Sequence, residues 1–251
     1  MTWNSNWDGN FFIFFLLYLG QSDEYSFIFR RKSNIYNRRQ NKLISLVVST
    51  FSSAYVFYWS KYFHQTNKDS KHYSPEQVSL LYPPSFDGRC VVYPSEQNII
   101  DYLKWRQVDC HVNNLYNTTF YALTGQYTKH SPDGFPLDTL APSKPVLTGQ
   151  EAEQKLCKTL SKHKHDILFL DYNINYNNEC EQFKKGTLLI LIPEDKAEYR
   201  EKKKPKKSDN YFRDAQINQL HVDIISDQFW EQNNELLKWS FFILFCYFFK
   251  I

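Results

Sequence analysis

Residues Gly20 to Ile28 read Gly-Gln-Ser-Asp-Glu-Tyr-Ser-Phe-Ile, which puts two adjacent acids, Asp23 and Glu24, in a turn that opens a β-prone run. The run before the turn, Phe14 to Leu19, is also β-prone, so the stretch predicts strand, turn and strand with the acids at a sheet edge. Carboxylates placed this way can hold Mg²⁺ against a nucleotide triphosphate. An acidic turn is equally common as a solvated hairpin end, so its meaning depends on the residues that accompany it.

The rest of the chain supplies helices to pack on such a sheet. Leu43, Leu46, Val47, Thr50, Phe51, Ala54, Phe57 and Tyr58 recur at spacings of three and four, which predicts an amphipathic helix over Arg38 to Phe63. Its basic first turn is expected to face the acidic turn or a bound phosphate. His64 to Ser79 is a polar connection, and Pro83, Pro84 and Gly88 bracket a short strand, Cys90 to Tyr93. Ser95 is an N-cap for a long helix carrying Ile99, Tyr102, Leu103, Arg106, Cys110, Asn113, Leu115 and Tyr116.

From Gly125 to Leu147 periodicity stops and four prolines mark an irregular insertion. Thr148-Gly149-Gln150-Glu151 is a capping-box pattern that starts a helix ending near Lys162. Ile167 to Leu170, Gly186 to Ile192 and Val222 to Ile225 are apolar enough to be further strands. The expected class is therefore α+β.

Charge narrows the partners less than its placement does. A net charge of +3 is too small to argue for nucleic acid, but Arg30, Arg31, Lys32, Arg38, Arg39 and Lys42 fall in one acid-free stretch, and Arg200 to Lys207 is a second basic run. Either run also reads as a solvated face or loop. Cys90, Cys110, Cys157, Cys180 and Cys246 are widely spaced without a Cys-x-x-Cys pair, so they read as reduced thiols. His163 and His165 have no partners at metal-ligand spacing and read as surface histidines.

Two apolar runs, Phe11 to Leu19 and Trp239 to Phe249, fall short of the roughly eighteen residues that span a bilayer. No membrane attachment is expected from them. The second is compatible with an amphipathic helix, a core strand or sequence foreign to the fold.

Several polar stretches occur where core and turn grammar do not ask for them: Trp105 to Asn117, Lys164 to Phe169 and Asn173 to Glu179. Asparagine is a poor helix former, so Asn113, Asn114 and Asn117 in one helix suggest hydrogen-bonding work. Gly20 to Phe27, Ser53 to Trp59, Leu81 to Arg89, His111 to Asn117, Ile174 to Asn178, Lys185-Gly186-Thr187, and His221 to Ile225 followed by Phe229-Trp230 together resemble the family of tRNA-histidine guanylyltransferases, from about Tyr18 to Leu237.

The resemblance implies a polymerase-palm-like antiparallel sheet with packed helices, working in the 3′-to-5′ direction. It implies addition of a guanylate to the 5′ end of histidine tRNA, with ATP activating the 5′ phosphate and the 3′-hydroxyl of GTP attacking. It also implies Mg²⁺ as cofactor in a two-metal mechanism, a homotetramer, and a cytoplasmic setting with mitochondrion or nucleus left open. Asp23 matches a metal-bridging aspartate, Glu24 a supporting carboxylate and Ser22 a nucleotide neighbour. Arg39 and Lys42 match triphosphate or tRNA 5′-end contacts, and His111, Asn114, Asn117, Lys164 and Asn175 match polar positions near nucleotide or tRNA. For those five, a purely structural role in satisfying buried backbone groups is the competing reading.

The pattern breaks at the amino end. The family's other metal aspartate belongs to an Asp-Gly-Arg turn ahead of a helix, and the first strand and helix that carry it are not matched here. Asp8-Gly9-Asn10 lacks the arginine, and Phe86-Asp87-Gly88-Arg89 matches a later Asp-Gly-Arg stretch, so Asp87 is not that ligand. The expected division is a non-family apolar stretch 1–17, a partial palm-like core 18–124, an insertion 125–147, a carboxy-terminal part of the fold 148–237 and a non-family tail 238–251. Loss of one carboxylate predicts little guanylyl transfer by the 251-residue chain. A catalytically inactive tRNA-binding or oligomer-partner subunit is the alternative.

Overall fold

The computed structural model describes residues 15–21, 23–30, 34–62, 64–65, 76–77, 79–130, 136–139, 144–192, 216–234, 236 and 240–249. The β-prone runs on either side of the turn Gly20 to Glu24 build the centre of the fold. Strands β1 (Phe15–Gln21) and β2 (Glu24–Arg30) form an antiparallel hairpin with Gln21 opposite Glu24, so only Ser22 and Asp23 lie between them. Successive strand side chains point to opposite faces. Tyr25, Phe27 and Phe29 accordingly pack with Leu43, Val47 and Phe51 on one face, while Leu19 and Ile28 pack with Ile99, Tyr102 and Leu103 on the other.

Those two faces are covered by helices α1 (Gln40–Tyr62) and α2 (Glu96–Leu123). Short strands β3 (His64–Gln65) and β4 (Glu76–Gln77) pair beyond α1, and β5 (Ser85–Val92) follows. After α2 come the small hairpin β6 (Thr128–His130) and β7 (Pro136–Thr139), then helices α3 (Gly149–Leu156), α4 (Ser161–Asp166) and α5 (Glu181–Lys185). Strands β8 (Thr187–Ile192) and β9 (Gln216–Leu220), helix α6 (Asp227–Gln232) and strand β10 (Ser240–Phe249) complete the order.

The main sheet has six strands in the order β5-β10-β2-β1-β8-β9, with every pair antiparallel. The α+β expectation is met. Because β10 runs antiparallel to both neighbours, β2 and β5 are parallel and one strand apart, joined by α1 as a split β-α-β unit. The apolar run near the carboxy end, open in the sequence between helix and strand, is thus a central strand. It fills the place between β2 and β5.

Other sequence expectations are corrected. Ile167 to Leu170 is not a strand: a π-helical turn, Ile167–Asp171, continues α4, burying Leu168 and leaving Phe169 58% and Leu170 75% exposed. Four apolar residues are too few to distinguish strand from helix. Val222 to Ile225 is not a strand either, because the side chain of Gln107 takes the backbone bonds of Val222 and Ile224 that a ladder would have used. The helix begun by the Thr148 capping box ends at Leu156, and Lys158 adopts a left-handed φ of 59° before α4 restarts. The strand placed at Cys90 begins already at Ser85, and the 125–147 insertion contains the β6–β7 hairpin.

α1 is the one described helix long and apolar enough to cross a bilayer by composition. Leu43, Val47 and Phe51 pack against the sheet and Ala54 is buried, whereas Val56 and Phe57 on the outer side are exposed.

Candidate functional site

The acidic turn sits at the end of the β1–β2 hairpin. Asp23 is exposed, and Ser22 lies outside the described residues. Glu24 begins β2 on the α2 face, where Oε2 accepts a hydrogen bond from Arg106 Nη1 at 2.6 Å. Arg106 is only 6% exposed, stacks over Trp105 with its guanidinium carbon 3.6 Å from the ring centroid, and lies 3.8 Å from Asp109. One rung along the same strand face, the hydroxyls of Ser26 and Tyr102 meet at 2.9 Å. Together these contacts fasten the turn's outgoing strand to α2.

On the other face, burial raises the Tyr25 phenol well above its ordinary value, with the neighbouring Tyr55 and Asp23 adding to the shift. Tyr25 therefore stays protonated and neutral beside the turn.

The basic stretch is placed elsewhere. Arg39 and Lys42 are exposed at the start of α1 and line an open cavity of about 620 Å³ with Gln40, Asn41 and Ser45. α1 runs back along the sheet, with Leu43 in the same cluster as Phe29 and Phe51 tilted against Tyr25, centroids 4.6 Å apart. Gln40 Nε2 donates to the Cys90 carbonyl at 3.4 Å, level through β10 with Phe27, so Arg39 and Lys42 lie along the sheet from Asp23, by ~13 Å or more at about 3.3 Å per strand residue. Of the two partners expected for this basic turn, the acidic turn lies apart from it along the sheet, and a bound phosphate is the other. Arg31, Lys32 and the run Arg200 to Lys207 lie outside the described residues.

A third group gathers further along α2. At 1.5 Å per residue Asn114 is ~12 Å along the helix from Arg106. Asn114 Nδ2 donates to the Tyr176 hydroxyl at 3.0 Å, and that hydroxyl in turn donates to the His111 carbonyl at 3.4 Å. The rings of His111 and His165 meet Tyr176 edge-on at 5.5 and 5.3 Å. Burial, then the nearby His165 and Lys184, hold the His111 imidazole below its usual pKa, whereas burial pushes Tyr176 up to about 12.

Asn117 is exposed and, with Asn114, Thr118, Tyr127 and Glu179, lines a cavity of about 350 Å³. Tyr127 donates to Glu179 Oε2 at 3.2 Å on its wall.

Lys164 and Asn175 have structural work. Lys164 is buried, and Nζ donates to the Thr159 carbonyl at 2.8 Å, closing the link between α3 and α4. Asn175 Oδ1 accepts from Asn177 N–H at 3.0 Å and starts the 3₁₀ turn Tyr176–Asn178. The structure therefore brings His111, Asn114 and Asn117 together, keeps Asp23 with Glu24, and separates both groups from Arg39 and Lys42. Arg106, Gln107, Tyr176 and Glu179 are the polar residues that organise these groups without having been singled out. Their signal was a charged or amide side chain on the buried stripe of α2, at Arg106 and Gln107.

A pair of Mg²⁺ ions needs several convergent oxygen ligands. Among the described residues no three His, Cys, Asp or Glu side chains converge as a metal group, and Glu24 is engaged by Arg106. The described residues offer Asp23 as one exposed carboxylate and do not complete a two-metal centre.

These elements define an α+β protein whose antiparallel, palm-like sheet presents an acidic hairpin turn. Residues 10–94 match the family model described as tRNAHis guanylyltransferase, and residues 97–134 and 141–226 match that described as the Thg1 C terminal domain. The chain is 44% identical over 223 residues to the probable tRNA(His) guanylyltransferase of Homo sapiens, covering 87% of this chain and 65% of the human protein. It is 40% identical to the tRNA(His) guanylyltransferase of Debaryomyces hansenii, covering 87% of this chain and 73% of that one. The crystal structure of the Saccharomyces cerevisiae tRNA(His) guanylyltransferase is similar at a TM-score of 0.56 and 40% identity, over 77% of this chain and 76% of that chain. The chain belongs to the tRNAHis guanylyltransferase family, and it spans just under two thirds of the length of the mammalian relatives.

Proposed function

We propose that the protein acts in guanylate addition to the 5′ end of histidine tRNA, with ATP activating the 5′ phosphate and GTP supplying the attacking 3′-hydroxyl. The observation that carries this reading is family membership over nearly the whole chain combined with an acidic turn, Asp23–Glu24, at the tip of a central hairpin. Mg²⁺ is the cofactor the reading carries, and Asp23 is the described carboxylate positioned to hold it. A full site requires a further carboxylate beyond those the described residues supply. Arg39 and Lys42, with their open cavity, are suited to a phosphate group, and the His111, Asn114 and Asn117 group to polar contacts with nucleotide or tRNA. A homotetramer and a cytoplasmic setting belong to the same reading.

The engagement of Glu24 by Arg106 favours a second reading, a tRNA-binding or oligomer-partner subunit without transfer activity of its own. Incubating the purified chain with labelled GTP, ATP, Mg²⁺ and a histidine tRNA transcript separates the two. Slight Mg²⁺-dependent labelling of the 5′ end, lost in Asp23→Asn, supports the first. Salt-sensitive tRNA binding with no labelling supports the second. Labelling that Asp23→Asn leaves intact removes Asp23 from the reaction.

A further inference from the structure

We propose that Arg106 is the resident counter-cation of the acidic turn, holding Glu24 as a positioning carboxylate and competing for it with any divalent cation that approaches Asp23. The inference rests on the reading of this turn as the cation-facing part of the site. Arg106 leaves α2 among buried neighbours, Tyr102, Leu103, Gln107 and Cys110, and is itself 6% exposed. A guanidinium taken that far from water is retained only against a carboxylate. Glu24 Oε2, at 2.6 Å, is the hydrogen-bonded partner, Asp109 Oδ2 stands further off at 3.8 Å, and the face of Trp105 closes one side. Arg106 Nε is buried with no hydrogen-bond partner, so the guanidinium is not locked in by a full set of acceptors and the Glu24 contact holds it.

The pair acts on Asp23 through the backbone. Glu24 is the first residue of β2 and lies opposite Gln21, so fixing its carboxylate fixes the exit of the turn. The Ser26–Tyr102 contact fastens the next residue on the same face to α2 one turn before Arg106. A cation at Asp23 that drew on Glu24 as a second oxygen ligand would compete with Arg106 for its carboxylate charge and be repelled by the guanidinium. Arg106 is therefore a positioning residue that sets how readily the turn accepts a cation.

Mn²⁺ binding to the full chain, followed by electron paramagnetic resonance, tests this. Loss of binding in Asp23→Asn assigns the signal to the turn. Arg106→Gln is expected to bind Mn²⁺ on the order of tenfold more tightly than the unmodified chain, from removal of a nearby charge, and adding Glu24→Gln should cancel the gain. Arg106→Lys, which keeps the charge, should stay near the starting affinity. Equal affinity in the unmodified chain and Arg106→Gln, a gain that survives Glu24→Gln, or no binding in either protein overturns the proposal.

If Arg106→Gln does not fold, the melting temperatures of Glu24→Gln, Arg106→Lys and the double variant carry the test. Losses that fail to add by about 3 °C or more support coupling of the pair, and additive losses overturn it. Neither readout involves tRNA or GTP, so absence of guanylyl transfer would reject the proposed function while leaving this inference standing.

Discussion

The side-chain oxygen of Gln107 accepts the backbone N–H of Ile224 at 2.7 Å, while its amide nitrogen donates to the carbonyls of Lys185 and Val222, both at 2.9 Å. One buried amide thus joins the middle of α2 to the residue pair before β8 and to the segment after β9. Trp230 Nε1 extends the join by donating to the Ile224 carbonyl at 2.8 Å.

Gln107→Leu fills much of the same space but leaves three backbone groups without their partner. Each buried orphan costs ~1–3 kcal/mol, so the loss is expected to be about 3 kcal/mol, or ~6–12 °C in melting temperature. Thermal melting by circular dichroism checks it. A change of less than 2 °C, on the order of half a kcal/mol, would mean that water replaces the amide at all three positions.

Strand β10 makes the second prediction. Leu244 stands opposite both Phe27 and Cys90, in the middle of the slot between β2 and β5. Proline there removes a ladder N–H and is not tolerated in a central strand. Leu244→Pro should therefore speed amide hydrogen exchange along β2 and β5 while leaving β9, at the far edge, less affected. Unchanged exchange in β2 and β5 would place β10 elsewhere.

The hairpin at the heart of the site was readable because two β-prone runs flank the polar turn Gly20 to Glu24, and the long helices were readable from the three-and-four spacing of the first and the Ser95 cap of the second. The slot taken by β10 was not, since nothing local in Ser240 to Phe249 names its partners more than 140 residues away in β5 and more than 200 away in β2. Val222 to Ile225 misled for a related reason. Its backbone bonds are met by a side chain, Gln107, that lies 115 positions earlier.

Glu24 was legible as a carboxylate in a turn, but its engagement was not. What fixed it is a charge on the buried stripe of α2, visible in the sequence at Arg106 and uninterpretable until the strand it faces is known.

His111 gives the fold a pH dependence of definite sign. Burial, His165 and Lys184 hold its imidazole below the ordinary value in the folded protein. As pH falls, the unfolded chain takes up the proton first, so the stability associated with neutral His111 is complete above about 6.5 and is lost as pH drops through the lower folded-state value. Urea midpoints measured from pH 8 to pH 5 should fall, and His111→Asn should fall less steeply over that window. Parallel profiles for the two proteins would assign the acid sensitivity to other groups.

Tyr176 supplies the last prediction, because it is the residue on which the second polar group depends. Its hydroxyl accepts from Asn114 and donates to the His111 carbonyl, and its ring is flanked by His111 and His165. Tyr176→Phe keeps the ring contacts and removes the hydroxyl, leaving the Asn114 amide without its acceptor. Asn114→Ala removes the donor and leaves the hydroxyl bonded only to backbone. If the Asn114–Tyr176 bond orders this face, each single change should cost ~1 kcal/mol, and the double variant should cost about 1 kcal/mol less than their sum.

Urea denaturation of the four proteins measures that coupling. The same set assayed for tRNA binding distinguishes two roles for Asn114. A loss in Asn114→Ala that Tyr176→Phe does not reproduce points to direct contact with the nucleic acid. Equal losses in both show that Asn114 acts by holding Tyr176 and, through it, the edge of α2 that carries His111 and Asn117.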